Sequence, residues 1–206
     1  MIFRNLRIAG MCFTLAGVTM MQHAKAQTST DAVQEKNAHV VNTFRFEIAA
    51  PMAQVGPLFA PEAERRWAGE DWNPVFAYPQ PGRDVQGAVW TIKHGNVDSV
   101  WVNTLFDVAG GRMQYVAVVG NQFATTVDVH VSALQERQTA VEVTYARTAL
   151  DRAANQRVIE LGQHDRDNGP EWKHRIETAL GFPSRPGAPP SGSPTNFVRW
   201  GERSQR

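Results

Sequence analysis

The chain has 206 residues, 21 basic and 20 acidic side chains and a formal net charge of +1. A charge this close to zero, without a basic stripe, lacks the electrostatic footprint of a nucleic-acid-binding protein. Cys12 is the only cysteine and lies in a segment predicted to be removed, so the mature chain is predicted to have no disulfide, thiol nucleophile or cysteine-ligated metal.

Residues 1–26 have the pattern of a secretory signal peptide. Arg4 and Arg7 form a basic start, an apolar run follows over residues 8–21, and Ala24-Lys25-Ala26 supplies small residues before a cleavage site at Gln27. At about 1.5 Å per residue the apolar run spans about 21 Å, short of the ~30 Å hydrocarbon core that a membrane anchor must cross. The sequence therefore predicts cleavage, no stable membrane anchor, and a periplasmic or secreted protein.

Both ends of the mature chain are predicted to lie outside the fold. Residues 27–38 form a flexible lead, and residues 183–206 are rich in Pro, Gly and Ser, a composition that cannot bury enough apolar surface to offset chain entropy. The alternative for this tail is that Phe197 and Trp200 dock on the body or on a partner. One domain over residues 39–182 remains, and residues 27–182 carry a net charge of −5.

Alternating apolar and polar residues predict strands along most of this domain. The first is Val40–Ile48, and the later runs are 88–94, 99–108, 113–119, 123–134 and 139–148. The pairs Gly95-Asn96, Gly110-Gly111 and Gly120-Asn121 between them suit tight turns. Short turns between consecutive strands predict an antiparallel meander, since parallel pairing needs long crossovers.

Helices are predicted at two places. Pro51 and Pro61 each fit the first turn of a short helix after the first strand, and Gly69 is a plausible stop. Near the C-terminus, Trp172 and Ile176 share one face of a helix that follows a break at residues 168–170. The predicted class is α+β, with a curved antiparallel sheet of about six to seven strands around a long C-terminal helix.

The runs 99–106 and 115–119 are apolar on both faces. An outer sheet face that meets water is normally polar, so these runs indicate that part of the outer face is covered. The sequence thus suggests a subunit contact there, and with it a homodimer.

Several sequence pieces carry a resemblance to a known family. They are the run Phe59–Trp67 (FAPEAERRW), Trp72-Asn73-Pro74 with Phe76 and Tyr78-Pro79, and later Gly87, Trp90, Tyr115, Val143-Thr144-Tyr145 and Thr148-Ala149-Leu150. Over residues 40–180 the chain resembles the helix-grip fold of the START and birch-pollen-allergen (SRPBCC) superfamily, in its polyketide cyclase-like bacterial branch. The resemblance implies an internal cavity for small apolar or amphipathic molecules, on a fold that hosts carriers, receptors and cyclases.

The resemblance also implies which aromatic residues meet a ligand. Trp67 and Trp72 are predicted to wall the entrance of the cavity, because a Trp has a large apolar body and one polar tip. The alternative is that they only plug the end of the core. Phe76, Trp90 and Tyr145 are predicted to line the same cavity.

Further candidates for ligand contact are polar residues that alternate in step with apolar residues of a strand and so share their inward face. His94 follows Trp90 and Ile92, Arg147 follows Val143 and Tyr145, and Asn42 precedes Phe44 on its face. An inward polar group needs a partner or costs about 1–3 kcal/mol. His94 and Arg147 are therefore predicted to meet a polar group of a ligand, or, for Arg147, an internal partner such as Glu64 or Asp71.

Three functions remain open at this stage. The sequence contains no histidine pair with metal-ligand spacing, no nucleophile elbow, no phosphate loop and no dinucleotide fingerprint, so no metal and no cofactor are predicted. The favoured function is an exported binding protein for a hydrophobic or aromatic small molecule. The alternatives are a cofactor-free cyclase or dehydratase in the same cavity, and a protein-interaction module without a ligand.

Overall fold

A computed structural model describes residues 36–94 and 97–183. The predicted signal peptide, most of the predicted flexible lead and the predicted tail from residue 184 lie outside these residues. The described chain forms one seven-stranded antiparallel sheet, curved and unclosed, with the spatial order β1-β7-β6-β5-β4-β3-β2. The strands are β1 His39–Ile48, β2 Val75–Tyr78, β3 Val89–His94, β4 Val97–Asp107, β5 Arg112–Val119, β6 Phe123–Gln135 and β7 Gln138–Ala149.

The strand alternation decides which face of the sheet is buried. In β7 and in β6 up to Val131 every second side chain is buried, including Val127, Val129, Val141 and Val143, while their neighbours are half-buried or exposed. Successive residues of a strand point to opposite faces, so this pattern gives one concave face that packs and one convex face that is open to water. The predicted antiparallel meander is confirmed.

Two short helices follow β1 at one end of the sheet. Helix α1 is Met52–Val55, a 3₁₀ turn covers Gly56–Phe59, and α2 is Pro61–Glu64. Pro61 takes the first helical position, where its missing N–H removes no hydrogen bond. After α2 the chain turns at Gly69, whose φ of +115° favours glycine, and continues into β2.

The C-terminal helical segment is divided by Asn168. Helix α3 is Asn155–Asp167 and helix α4 is Gly169–Ala179, with Pro170 in the first turn of α4. This is the break that the sequence predicted. Helix α3 packs on β1 and β7, and α4 packs on β1. None of the helices among the described residues is long and apolar enough to cross a bilayer.

Two hydrophobic cores result from this arrangement. The larger one lies on the concave face between the sheet, the short helices and α4, and it contains most of the aromatic side chains. The smaller one lies under α3 and is built from Val119, Phe123, Ala149, Ala154, Val158 and Leu161. The larger core is the place where the sequence predicted a ligand.

Candidate functional site

Aromatic rings in the larger core form two groups. The first, called the sheet cluster, stands on β2 to β5 and the segment just before β2, and consists of Trp72, Phe76, Trp90, Trp101 and Tyr115. Trp90 is at its centre: its ring stacks on Trp101 at 6.1 Å between centroids, meets Tyr115 edge-on at 6.1 Å and lies 5.9 Å from Phe76. Such offset and edge-to-face pairs stabilise a core beyond the apolar area they bury.

The second group, called the helix cluster, lies against the short helices and α4. It consists of Phe44, Phe59, Trp67, Tyr145 and Trp172. Trp172 of α4 is at its centre, with its ring 4.9 Å from Trp67 and 5.3 Å from Phe44, both edge-on. The sheet cluster and the helix cluster together occupy the concave face.

The structure brings most of the predicted site residues into these clusters. Trp72, Phe76 and Trp90 belong to the sheet cluster, and Trp67 and Tyr145 belong to the helix cluster; all five are at most 9% exposed. Arg147 is also buried, beyond Tyr145 along β7. His94 ends β3, and its side chain lies outside the described part of the structure. The burial of Trp67 and Trp72 makes them part of the packed core.

The indole N–H groups differ in how they are satisfied. Trp67 donates to the carbonyl of Leu58 at 2.7 Å and Trp72 to the carbonyl of Pro61 at 2.8 Å. Trp101 donates to the hydroxyl of Ser99 at 2.8 Å. The Nε1 of Trp90 is buried and has no hydrogen-bond acceptor among the described residues. A buried donor left in this way costs about 1–3 kcal/mol, so its position needs an explanation.

Arg147 has an internal partner that differs from the predicted one. Its guanidinium makes two hydrogen bonds to the carboxylate of Asp165 on α3, at 2.6 and 2.8 Å, and one to Thr125 at 3.1 Å. It also lies over the ring of Tyr145, 4.7 Å from the centroid. The expected partners Glu64 and Asp71 are therefore wrong. Asp165 is only 3% exposed because it faces the sheet.

Glu64 is the residue that sequence reasoning did not select as a site. It is the last residue of α2 and is 6% exposed. Burial raises the pKa of its carboxyl well above the ordinary 4.5, and the charge of Asp84 raises it further. The sequence does contain a signal for the inward position of Glu64. Pro61, Glu64 and Trp67 are each three residues apart, so a helical turn places them on one face.

The charge of Glu64 affects the pKa of one tyrosine in each cluster. Burial raises the pKa of Tyr115 well above its ordinary value, and the negative charge of Glu64 adds to that rise. Burial also raises the pKa of Tyr145, with smaller contributions from Asp165 and Glu64. The Tyr115 hydroxyl donates to the carbonyl of Phe59, which links the sheet cluster to the helix cluster.

A pocket of about 360 Å³ lies on the other side of the sheet. Its lining includes Arg45, Glu47, His130 and Glu142, which point outward from β1, β6 and β7, and Arg45 pairs with Glu142 across it. Within the described ranges, no three His, Cys, Asp or Glu side chains are arranged to hold a metal ion. This convex pocket is not the ligand space predicted between the sheet and the C-terminal helix.

The sequence matches no protein-family model and no curated protein. Solved structures do match its fold. A point mutant of norcoclaurine synthase from Thalictrum flavum, in complex with a transition-state analogue, has a TM-score of 0.52 at 12% identity, over 72% of this chain and 98% of that one. A truncated form of the same synthase has a TM-score of 0.51 at 10% identity, over 74% and 99%.

A protein from Thermobifida fusca, solved by solution NMR, has a TM-score of 0.53 at 16% identity, over 71% of this chain and 99% of that one. Identities this low establish the fold and leave the function open. The chain has the helix-grip fold of START and birch-pollen-allergen-like proteins, as the sequence predicted.

Proposed function

We propose that this chain is an exported binding protein that holds a hydrophobic or aromatic small molecule between the sheet and α4. The rings of the sheet cluster and the helix cluster offer flat, polarizable surfaces to such a molecule. Burial of ligand surface at about 25 cal/mol per Å² drives binding, and a few polar groups orient the ligand. The signal-like N-terminus is the argument for export to the periplasm or medium.

The observation that carries the proposal is the N–H of Trp90. It is a buried donor without a protein acceptor, at the centre of the sheet cluster. A ligand oxygen that accepts this hydrogen bond removes the energetic cost of the unpaired group. Since rings already occupy the concave face, the ligand enters as Trp90 and its neighbours move apart.

The direct experiment is native mass spectrometry on the protein purified from the periplasm of the bacterium that naturally makes it. We expect a small molecule that co-purifies and that absorbs in the near ultraviolet because it is aromatic. The proposal is contradicted if protein purified after several growth conditions has only the mass of the chain itself and also binds no member of a library of aromatic compounds.

Trp90→Phe tests the role of the N–H, because it removes the donor and keeps an aromatic ring. We expect ligand affinity to fall about tenfold, which corresponds to about 1.4 kcal/mol, while the melting temperature stays within a few degrees. Trp101→Phe is the matched control: it removes a donor that Ser99 already satisfies. It should lower stability by about 1 kcal/mol and lower affinity much less than Trp90→Phe does, because the N–H that it removes already has a protein acceptor. An affinity loss equal in both variants contradicts the assignment of Trp90.

A second candidate function is a cofactor-free reaction in the same interior, and Glu64 is the observation that favours it. A buried carboxyl whose pKa is raised is a candidate for giving or taking a proton. The test follows the co-purified molecule over time. A change in its mass or isomeric form with the wild type, absent with Glu64→Gln, identifies an enzyme; an unchanged molecule identifies a binding protein.

A further inference from the structure

We propose that the interior site recognises a neutral hydroxyl group on its hydrophobic ligand, and that Trp90 and Asn103 hold this hydroxyl from two sides. The N–H of Trp90 donates a hydrogen bond to the hydroxyl oxygen, and the hydroxyl in turn donates to the Oδ1 of Asn103. This inference rests on the proposed binding function and specifies the chemical class of the ligand.

Asn103 of β4 carries a second unpaired polar atom in the same part of the interior. The residue is fully buried, and its Oδ1 has no hydrogen-bond donor among the described residues. The Nδ2 of the same amide donates to the carbonyl of Val85 at 3.1 Å. A carbonyl only accepts hydrogen bonds, so this contact fixes which end of the amide is the nitrogen and leaves the oxygen as the unpaired atom.

The strand register places Asn103 next to Trp90 on the concave face. Trp90 pairs with Trp101 across β3 and β4, and Asn103 follows Trp101 by two residues, so it points to the same face. The N–H of Asn103 donates to the carbonyl of Ala88 at 2.9 Å, which continues the pairing of the two strands. Such diagonal neighbours lie about 7–8 Å apart, within reach of an aromatic side chain. One small ligand group can therefore contact both residues.

An aromatic ring flanks this pair on the next strand. Tyr115 of β5 is the direct register partner of Asn103. Its ring meets that of Trp90 edge-on, with 6.1 Å between the centroids. The two unpaired atoms thus belong to residues that adjoin the rings of the sheet cluster, where an aromatic ligand finds surfaces to pack on.

The segment between β2 and β3, residues 79–88, forms the outer wall of this site. A Cβ on Gly82 would lie 2.8 Å from the ring of Phe76, so the segment packs directly on the sheet cluster. The carbonyl of Val85 holds the amide of Asn103 from the same segment. Its side chains are mostly exposed, so this wall borders on solvent. A ligand that enters here displaces a loop and leaves the hydrogen bonds of the sheet intact.

A hydroxyl is the smallest organic group that satisfies both unpaired atoms at once. The N–H of Trp90 needs an acceptor and the Oδ1 of Asn103 needs a donor, since neither has a partner within the described ranges. The oxygen of one hydroxyl accepts and donates, whereas a carboxylate or an ether only accepts and an ammonium only donates. A hydroxyl therefore pairs two buried groups, and each of the other classes pairs one.

The test uses three probes that share one ring system. They are naphthalen-2-ylmethanol, its methyl ether, and 2-ethylnaphthalene, in which a methyl group replaces the hydroxyl. Their affinities for the mature protein are measured by equilibrium dialysis at neutral pH. We expect the alcohol to bind about tenfold tighter than the ethyl compound, although the ethyl compound is more hydrophobic, and tighter than the ether.

Three variants assign the two hydrogen bonds. Trp90→Phe removes the donor and should lower the preference for the alcohol over the ethyl compound about tenfold. Asn103→Leu removes the acceptor and should remove most of the advantage of the alcohol over the ether. Asn103→Asp is the matched control: it also loses the hydrogen bond to Val85 but keeps an acceptor oxygen, so it should retain this advantage. Circular dichroism and melting curves establish that each variant is folded.

The outcomes separate this inference from the proposed function. If the alcohol binds no tighter than the ethyl compound, the inference is overturned: the two atoms then pair with a buried water, and the binding function stands. An Asn103→Leu variant that keeps the advantage of the alcohol, or an Asn103→Asp variant that loses it equally, also overturns the assignment.

The co-purified molecule decides the case in which none of the three probes binds. A free hydroxyl in that molecule, whose methylation weakens binding, supports the inference, and a molecule without a hydroxyl overturns it. If no probe binds and no molecule co-purifies, the proposed function fails, and the inference fails with it.

Discussion

At the scale of single residues, polar side chains in the interior are distinguished by their partners. Arg147 was correctly predicted to face inward, from its phase with Val143 and Tyr145. Its partner Asp165 was not found, because the two residues approach only when α3 folds back over β7. The pair is bidentate, and both side chains are under 9% exposed. It therefore links α3 to the sheet and stabilises their packing.

Breaking this buried pair should be strongly destabilising. Asp165→Asn leaves the Arg147 charge without a counter-ion, so we expect a loss of about 3–5 kcal/mol in the free energy of unfolding, measured by urea denaturation. The double variant Arg147→Met with Asp165→Leu should lose much less, since it buries no unpaired charge.

The matched control for this prediction is the exposed pair of Arg45 and Glu142, whose side chains are 74% and 37% exposed. Arg45→Met should cost at most about 1 kcal/mol, because water screens a surface ion pair. If Asp165→Asn is no less stable than Arg45→Met, the buried pair does not stabilise the packing of α3 on the sheet.

At the scale of elements, α3 approaches β1 closely at one glycine. A Cβ on Gly162 would overlap the side chain of Val40 and lie 3.1 Å from the Nδ2 of Asn42. That Nδ2 is itself buried without a partner among the described residues. The glycine therefore sets the distance between helix and sheet and allows the smaller core to close beneath α3.

Gly162→Ala should lower stability although alanine favours helices. Helix propensity alone predicts a gain of about 1 kcal/mol, whereas the overlap with Val40 requires a shift that costs about 1–3 kcal/mol. The net effect is expected to be a lower melting temperature by differential scanning calorimetry. Gln163→Ala, at the exposed neighbouring position, should be neutral or slightly stabilising. A Gly162→Ala variant that melts higher than wild type would show that the spacing is not set there.

At the scale of the whole molecule, the sheet divides the protein into an aromatic interior and an open convex face. Val100 is 45% exposed on that face, next to the half-buried Val116 and Val118 of the neighbouring strand. These residues belong to the runs 99–106 and 115–119, which are apolar on both faces and from which a subunit contact was inferred. The homodimer stays a prediction. The fold is held together by the packing of its two cores.

Export is a prediction at the scale of the whole molecule, because residues 1–26 would direct where the mature protein is located. Expressed with its own N-terminus in a bacterium, the protein should accumulate in the periplasm or medium with Gln27 as its first residue, since the A-x-A pattern ends at Ala26. N-terminal sequencing or intact mass measurement checks this. A protein that keeps Met1 and stays in the cytoplasm would contradict the proposed location, and Ala26→Leu should block cleavage as a control.

The sequence by itself determined six of the seven strands, the short helices and the break before α4, because period and turn residues act locally along the chain. The strand β2 was not among the predicted runs, and the helix-grip fold was implied by the resemblance to a known family. It also placed Trp67, Trp72, Phe76, Trp90, Tyr145 and Arg147 on inward positions. Only the tertiary structure decided which inward polar groups have partners: Arg147 has Asp165, whereas the N–H of Trp90 has none among the described residues. The reason is physical, since a hydrogen bond or ion pair joins residues distant in sequence, while alternation tells only which face a side chain takes.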